Sequence, residues 1–124
     1  NIIIREKDRK ITLVDFGAAN EFVGNLTGTL IGKQCYIPPE QFQGRACLKS
    51  DIFAFGGTLF YLLTGKDPEP ISTSRVSEVD KQLVSAQFDD LIAAMTCIEP
   101  ESRPSAEELA LALSSIAKGG IQFQ

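Results

Sequence analysis

The sequence predicts an α+β domain that is mostly α: a short N-terminal β-hairpin, a long irregular segment, then helices. Three observations predict it. Two β-branched runs, at residues 2–5 and 10–14, flank the charged tetrad Glu6-Lys7-Asp8-Arg9. Residues 18–34 show no periodicity and are punctuated by Gly24, Gly28, Gly32, Thr27 and Thr29. Beyond residue 50, apolar residues fall at helical spacing in blocks separated by Pro and Gly.

Each element has a local cause. β-branched side chains suit a pleated strand, and the charged tetrad between the two runs suits a turn. The irregular segment is long for a connection in a compact domain, and such segments tend to be functional. It ends at Tyr36-Ile37-Pro38-Pro39-Glu40, whose prolines exclude a helix interior, and a short helix is expected at residues 40–42. Residues 52–63 are apolar nearly all round and predict a central buried helix, capped by Ser50 or Asp51 and stopped by Gly65. Gly56 and Gly57 inside it weaken the helix, so a closely packed neighbour is expected there. Residues 66–77 read as a polar loop. Phe88, Leu91, Ile92, Met95 and Ile98 form one amphipathic helix, ended by Glu99-Pro100. Ser105 with Glu108 is a capping box before Leu109, Leu113 and Ile116, and Gly119-Gly120 stops that last helix. The domain is expected over residues 1–118, with 119–124 as a frayed tail.

Composition narrows the chemistry. The 124 residues contain no His and no Trp, so no Ser-His-Asp triad, Cys-His dyad or HExxH zinc site can be built from them. The net charge is −4, from 12 basic and 16 acidic residues, which argues against nucleic acid as a partner. Cys35, Cys47 and Cys97 are odd in number and have no zinc spacing, and read as reduced thiols of a cytoplasmic protein. No apolar run reaches the length of a membrane span. The opening Asn1-Ile2-Ile3-Ile4-Arg5 carries no signal-peptide pattern and reads as the interior of a longer protein, which could be membrane-anchored elsewhere.

Asp15-Phe16-Gly17 is a common match when taken alone. Here it follows a strand and opens the long segment that Pro39-Glu40 closes. Asp51, Gly56 in the apolar helix, and Arg103-Pro104 then follow in order. This series resembles the C-terminal lobe of a protein kinase catalytic domain, of the bacterial or eukaryotic-like Ser/Thr branch, over about residues 1 to 117. The resemblance implies a transferase that moves the ATP γ-phosphoryl group to Ser/Thr hydroxyls of protein substrates. Residues 15–40 would then be the activation segment.

The resemblance also assigns roles. Asp15 and Asn1 would bind Mg²⁺ and, through it, ATP, because a hard cation favours carboxylate and amide oxygen. Gly17 would let the backbone turn behind the metal ligand. Glu40 would pair with Arg103 and pin the end of the activation segment. Asp51 would receive hydrogen bonds from the catalytic-loop backbone. Thr27 and Thr29 are candidate phosphorylation sites whose modification would order the segment. No catalytic residue is expected among the 124: the family's proton-accepting Asp would lie five residues before Asn1. The chain alone is therefore expected to be inactive without the N-lobe in cis, and poorly soluble because its apolar helix lacks a packing partner.

One departure is notable. The family pattern Gly-Thr-x-x-Tyr-x-Ala-Pro-Glu reads Gly32-Lys33-Gln34-Cys35-Tyr36-Ile37-Pro38-Pro39-Glu40 here. Lys33 cannot reproduce the hydroxyl bond of the usual Thr. The alternative reading is a pseudokinase, or a kinase-like scaffold or interaction module.

Overall fold

The structure, a computed structural model, describes residues 2–4, 6, 8–13 and 34–118. Two short strands, β1 (Ile2–Ile4) and β2 (Ile11–Leu13), pair antiparallel, with Ile2 opposite Leu13, Ile3 opposite Thr12 and Ile4 opposite Ile11. The turn between them is held locally: the Lys10 N–H donates to the Asp8 carboxylate at 3.1 Å, and Arg9 takes the left-handed conformation, φ 60°.

The remaining regular structure of the described chain is helical. The short helix α1 (Pro39–Phe42) begins with a proline at its first position, where the missing N–H would have no partner anyway. The long helix α2 (Leu48–Thr64) follows, then α3 (Ala86–Met95) and α4 (Ala106–Lys118), with 3₁₀ turns at Val76–Glu78 and Pro100–Ser102.

Helix α2 organises the fold. It starts at Leu48, four residues before the apolar stretch from residue 52 that its sequence marks. The residue capping it is Cys47, and neither Ser50 nor Asp51 holds that position. Ser50 instead sits one turn in and accepts the Cys47 N–H at 2.9 Å. At the other end Gly65, φ 74°, closes the helix in the left-handed region, and its N–H bonds to the Tyr61 carbonyl. One face of α2 buries Ile52, Phe53, Gly56, Gly57 and Phe60. Near its C-terminal end Tyr61 is 46% and Leu62 66% exposed, so the helix is not buried all round.

Two apolar clusters join the helices. Phe60, Val76, Phe88 and Ile92 form one, and Ile52, Met95 and Leu109 form the other, with Leu59 and Leu113 packing against both. Gly56 lies tight against the C-terminal end of α3. A Cβ there would lie 2.7 Å from Thr96 Cγ2 and 2.9 Å from Met95 Cβ, so only glycine fits without a shift.

Helix α3 is shorter than its periodicity predicts. It ends at Met95, and Ile98 is left exposed beyond it. The reason is Thr96, whose buried hydroxyl donates to the Ile92 carbonyl at 2.9 Å and accepts the Ser74 N–H at 2.8 Å. That bond draws the stretch before α3 into the core. Residues 66–77, which read as a plain polar loop, thus bury Ser74 and Val76. Ser85 caps α3, accepting the Phe88 N–H at 3.1 Å. Ser105 and Glu108 form the reciprocal box at the start of α4, at 3.1 and 2.9 Å. No described helix is long and apolar enough to cross a membrane.

Candidate functional site

The most constrained polar cluster is built around Arg103, which is 1% exposed. A buried guanidinium must place all five N–H donors, and the fold supplies five acceptors. Nη1 donates to Glu40 Oε2 at 2.7 Å and to the Lys49 carbonyl at 2.9 Å. Nη2 donates to Glu40 Oε1 at 3.0 Å and to the Ile98 carbonyl at 3.3 Å. Nε donates to the Cys97 carbonyl at 2.8 Å. The guanidinium also lies 5.0 Å from the centre of the Phe53 ring.

Three elements bring these groups together. Pro38 and Pro39 direct the chain into α1, which places Glu40 in its first turn. The 3₁₀ turn before Arg103 points its side chain back toward α2. Ser50 completes the set: its hydroxyl donates to Glu40 Oε2 at 2.6 Å while accepting the Cys47 N–H. Burial by itself would push the Glu40 carboxyl up. The hydrogen bonds from Arg103, then from Ser50, hold it below the usual carboxylate range. No buried side-chain N or O among the described residues lacks a hydrogen-bond partner.

A second attachment lies four residues before Glu40. The Tyr36 hydroxyl donates to Asp67 Oδ1 at 2.6 Å. Burial first, then this bond, push the Tyr36 phenol well above its ordinary pKa. The ring rests beside Gly57, where a Cβ would lie 3.2 Å from Tyr36 Cδ1 and 3.4 Å from Pro68 Cγ.

A third polar group, away from both, supports the fold. Asp89 is nearly buried, accepts the Ser77 N–H at 3.0 Å and pairs with Arg75 at 2.9 Å, and Arg75 also reaches Asp90 at 2.9 Å. Burial would raise the Asp89 carboxyl, but the Ser77 and Arg75 bonds keep it low. A cleft of about 250 Å³ beside it is lined by Ser77, Asp80, Lys81, Val84, Ala86 and Asp89.

Of the residues singled out in the sequence, Glu40 and Arg103 are in direct contact. Asp51 is exposed in the first turn of α2, where a negative charge complements the helix dipole. Asn1, Asp15, Gly17, Thr27, Thr29 and Lys33 lie outside the described residues. Among the described residues no group of three or more His, Cys, Asp or Glu could hold a metal ion. Two contributions were missed from sequence. Ser50 carried a signal, as a cap candidate, but its bond to Glu40 spans ten residues. Asp67 carried none, because its partner is 31 residues away.

The model of the family described as protein kinase domain matches residues 1–112. The chain belongs to the protein kinase domain family. It is similar to Serine/threonine-protein kinase D of Synechocystis sp., 32% identical over 136 aligned residues, covering 98% of this chain and 27% of that protein. It is also similar to Serine/threonine-protein kinase PknA of Nostoc sp., 41% identical over 81 residues, covering 59% of this chain and 14% of that protein. Among solved structures, one titled "PpkA-294 apo form" matches with a TM-score of 0.72 and 28% identity, over 91% of this chain and 43% of that chain. The chain thus spans less than a third of the length of these two curated relatives.

Proposed function

We propose that residues 1–118 are the C-terminal-lobe part of a serine/threonine protein kinase, with 119–124 as a tail, and that the complete protein transfers the γ-phosphoryl group of ATP to Ser/Thr hydroxyls of protein substrates in the cytoplasm. The observation that carries this is the buried Glu40–Arg103 fork, in a chain matched by the kinase family over residues 1–112. The fork closes the segment that Asp15-Phe16-Gly17 opens. Relatives named as serine/threonine kinases support the choice of hydroxyl acceptor.

Phosphoryl transfer asks a protein mainly for positioning and charge neutralisation. Asp15 and Asn1 supply a carboxylate and an amide oxygen, a donor set whose chemistry fits Mg²⁺. When bound, the metal neutralises charge on the ATP phosphates. Gly17 frees the backbone behind Asp15. Glu40 and Arg103 fix the far end of the segment against α2. Asp51, open at the start of α2, is free to receive backbone N–H groups from the catalytic loop. Thr27 and Thr29 are the positions at which phosphorylation would add charge to the segment.

The test is Asp15→Ala in the complete protein. Phosphorylation of a protein substrate from ATP should be abolished, while the thermal unfolding transition stays in place. Retained transfer would contradict the metal role and favour a scaffold.

A further inference from the structure

The stretch from Gln34 to Glu40 is attached to the helical body twice; Tyr36 and Glu40 both stand in the family pattern described above, but only Glu40 was given a partner there, Arg103. The first is a seat built for Tyr36. Its floor is Gly57, in the middle of α2, where glycine weakens the helix by about 1 kcal/mol relative to alanine yet leaves room for the ring. Its wall is Pro68. Its latch is Asp67, which accepts the phenol hydroxyl at 2.6 Å. Cys35 and Tyr36 belong to a helical turn, closed by the Ile37 N–H to the Gln34 carbonyl, that leads directly into buried Ile37 and Pro38. Fixing Tyr36 therefore fixes the path by which the segment enters α1.

We propose that Asp67 is a positioning residue of the kinase: by latching Tyr36 it holds the end of the activation segment in the form that a protein substrate meets. The inference rests on the activity proposed above. Tyr36, which Asp67 holds, stands near the opposite end of residues 15–40 in sequence from Asp15, the residue assigned to the nucleotide side. Loss of the latch should therefore weaken use of the protein substrate and leave use of ATP alone. Because the bond is solvent-exposed, the latch can open without unfolding the domain.

The experiment uses the complete protein with Tyr36→Phe, Asp67→Ala and the double variant. Tyr36→Phe keeps the ring in its seat and removes only the hydroxyl. Each single change should raise KM for the protein substrate by about threefold to tenfold, the range one hydrogen bond supports, with KM for ATP unchanged. The double variant should be no worse than either single one, because both remove the same bond. Asp67→Asn, which keeps an acceptor oxygen, should restore most of the loss. Amide hydrogen exchange at residues 34–37 should quicken in both single variants and not at Arg103. Additive effects, an equal rise in KM for ATP, or unchanged kinetics would overturn the assignment. If the wild-type protein phosphorylates nothing, the proposed activity fails. The exchange rates then decide the latch on their own, and unchanged rates at residues 34–37 overturn it.

Discussion

Two attachments hold one stretch of chain, and they differ in almost every physical respect. The Glu40–Arg103 fork is buried, bidentate and saturated: every guanidinium N–H has an acceptor, and Ser50 takes one more lone pair of Glu40. The Tyr36–Asp67 latch is a single exposed bond over a ring that packing already places. A buried pair is costly to break, because it leaves a charge without a partner. An exposed bond is replaced by water, and its loss is small. One attachment is thus suited to permanence and the other to adjustment.

The sharpest way to break this contrast is Arg103→Ala. It strands the Glu40 carboxylate and three backbone carbonyls, and should cost about 3–5 kcal/mol, read by denaturant unfolding. Arg103→Lys should not rescue it, because an ammonium cannot fork onto two carboxylate oxygens. A loss within the range of a surface pair would abolish the distinction between the two attachments.

Ser50→Ala probes the same site more gently. It removes a hydrogen bond to a carboxylate and leaves the Cys47 N–H without its partner, for about 1.5–3 kcal/mol. It also moves the acid limb. The folded Glu40 carboxyl is held below its unfolded value, so its contribution is present above the ordinary Glu pKa of about 4.3 and fades as pH falls through the lower folded value. Without Ser50 the folded value rises toward the unfolded one, and unfolding on acidification should begin at higher pH. Thermal midpoints measured from pH 6 down to pH 3 check this. An unshifted acid limb would mean that Ser50 does not hold Glu40.

Gly56→Ala tests whether packing around α2 is as unyielding as the fork. A methyl group there meets Thr96 Cγ2 and Met95 Cβ, neither of which is the free end of a long side chain. Overpacking of about 1–3 kcal/mol should outweigh the gain of about 1 kcal/mol in helix propensity. The thermal midpoint should fall.

How much of this was legible depended on the range of the interaction. The short helix after Pro39, the stop at Gly65 and the box at Ser105 and Glu108 follow from neighbours within about four residues, and the hairpin pairs residues only seven to eleven apart, so the sequence displays them. Gly56 and Gly57 announced a close neighbour but not which one. The start of α2 was misread because Ser50 and Asp51 look like caps. Ser50 is instead drawn into the first turn by Glu40 and by the Cys47 N–H. The early end of α3 was hidden because Thr96 answers to Ser74, 22 residues away. Long-range bonds leave no periodic trace. Glu40 and Arg103, 63 residues apart, were placed together only by resemblance to a family.

The smallest expected effect is the most discriminating. Gly57→Ala adds a methyl group 3.2 Å from the Tyr36 ring and 3.4 Å from Pro68, distances at which the neighbour gives by a few tenths of an ångström. The strain and the gain in helix propensity, each about 1 kcal/mol, nearly cancel, so the thermal midpoint should barely move. The ring, however, is pushed off its floor, and the hydroxyl is drawn from Asp67. Faster amide exchange at residues 34–37 in a protein of unchanged stability would show that the latch is separable from the fold. A fall in midpoint matching that of Gly56→Ala would instead make Tyr36 part of the core, and the two attachments would then be of one kind.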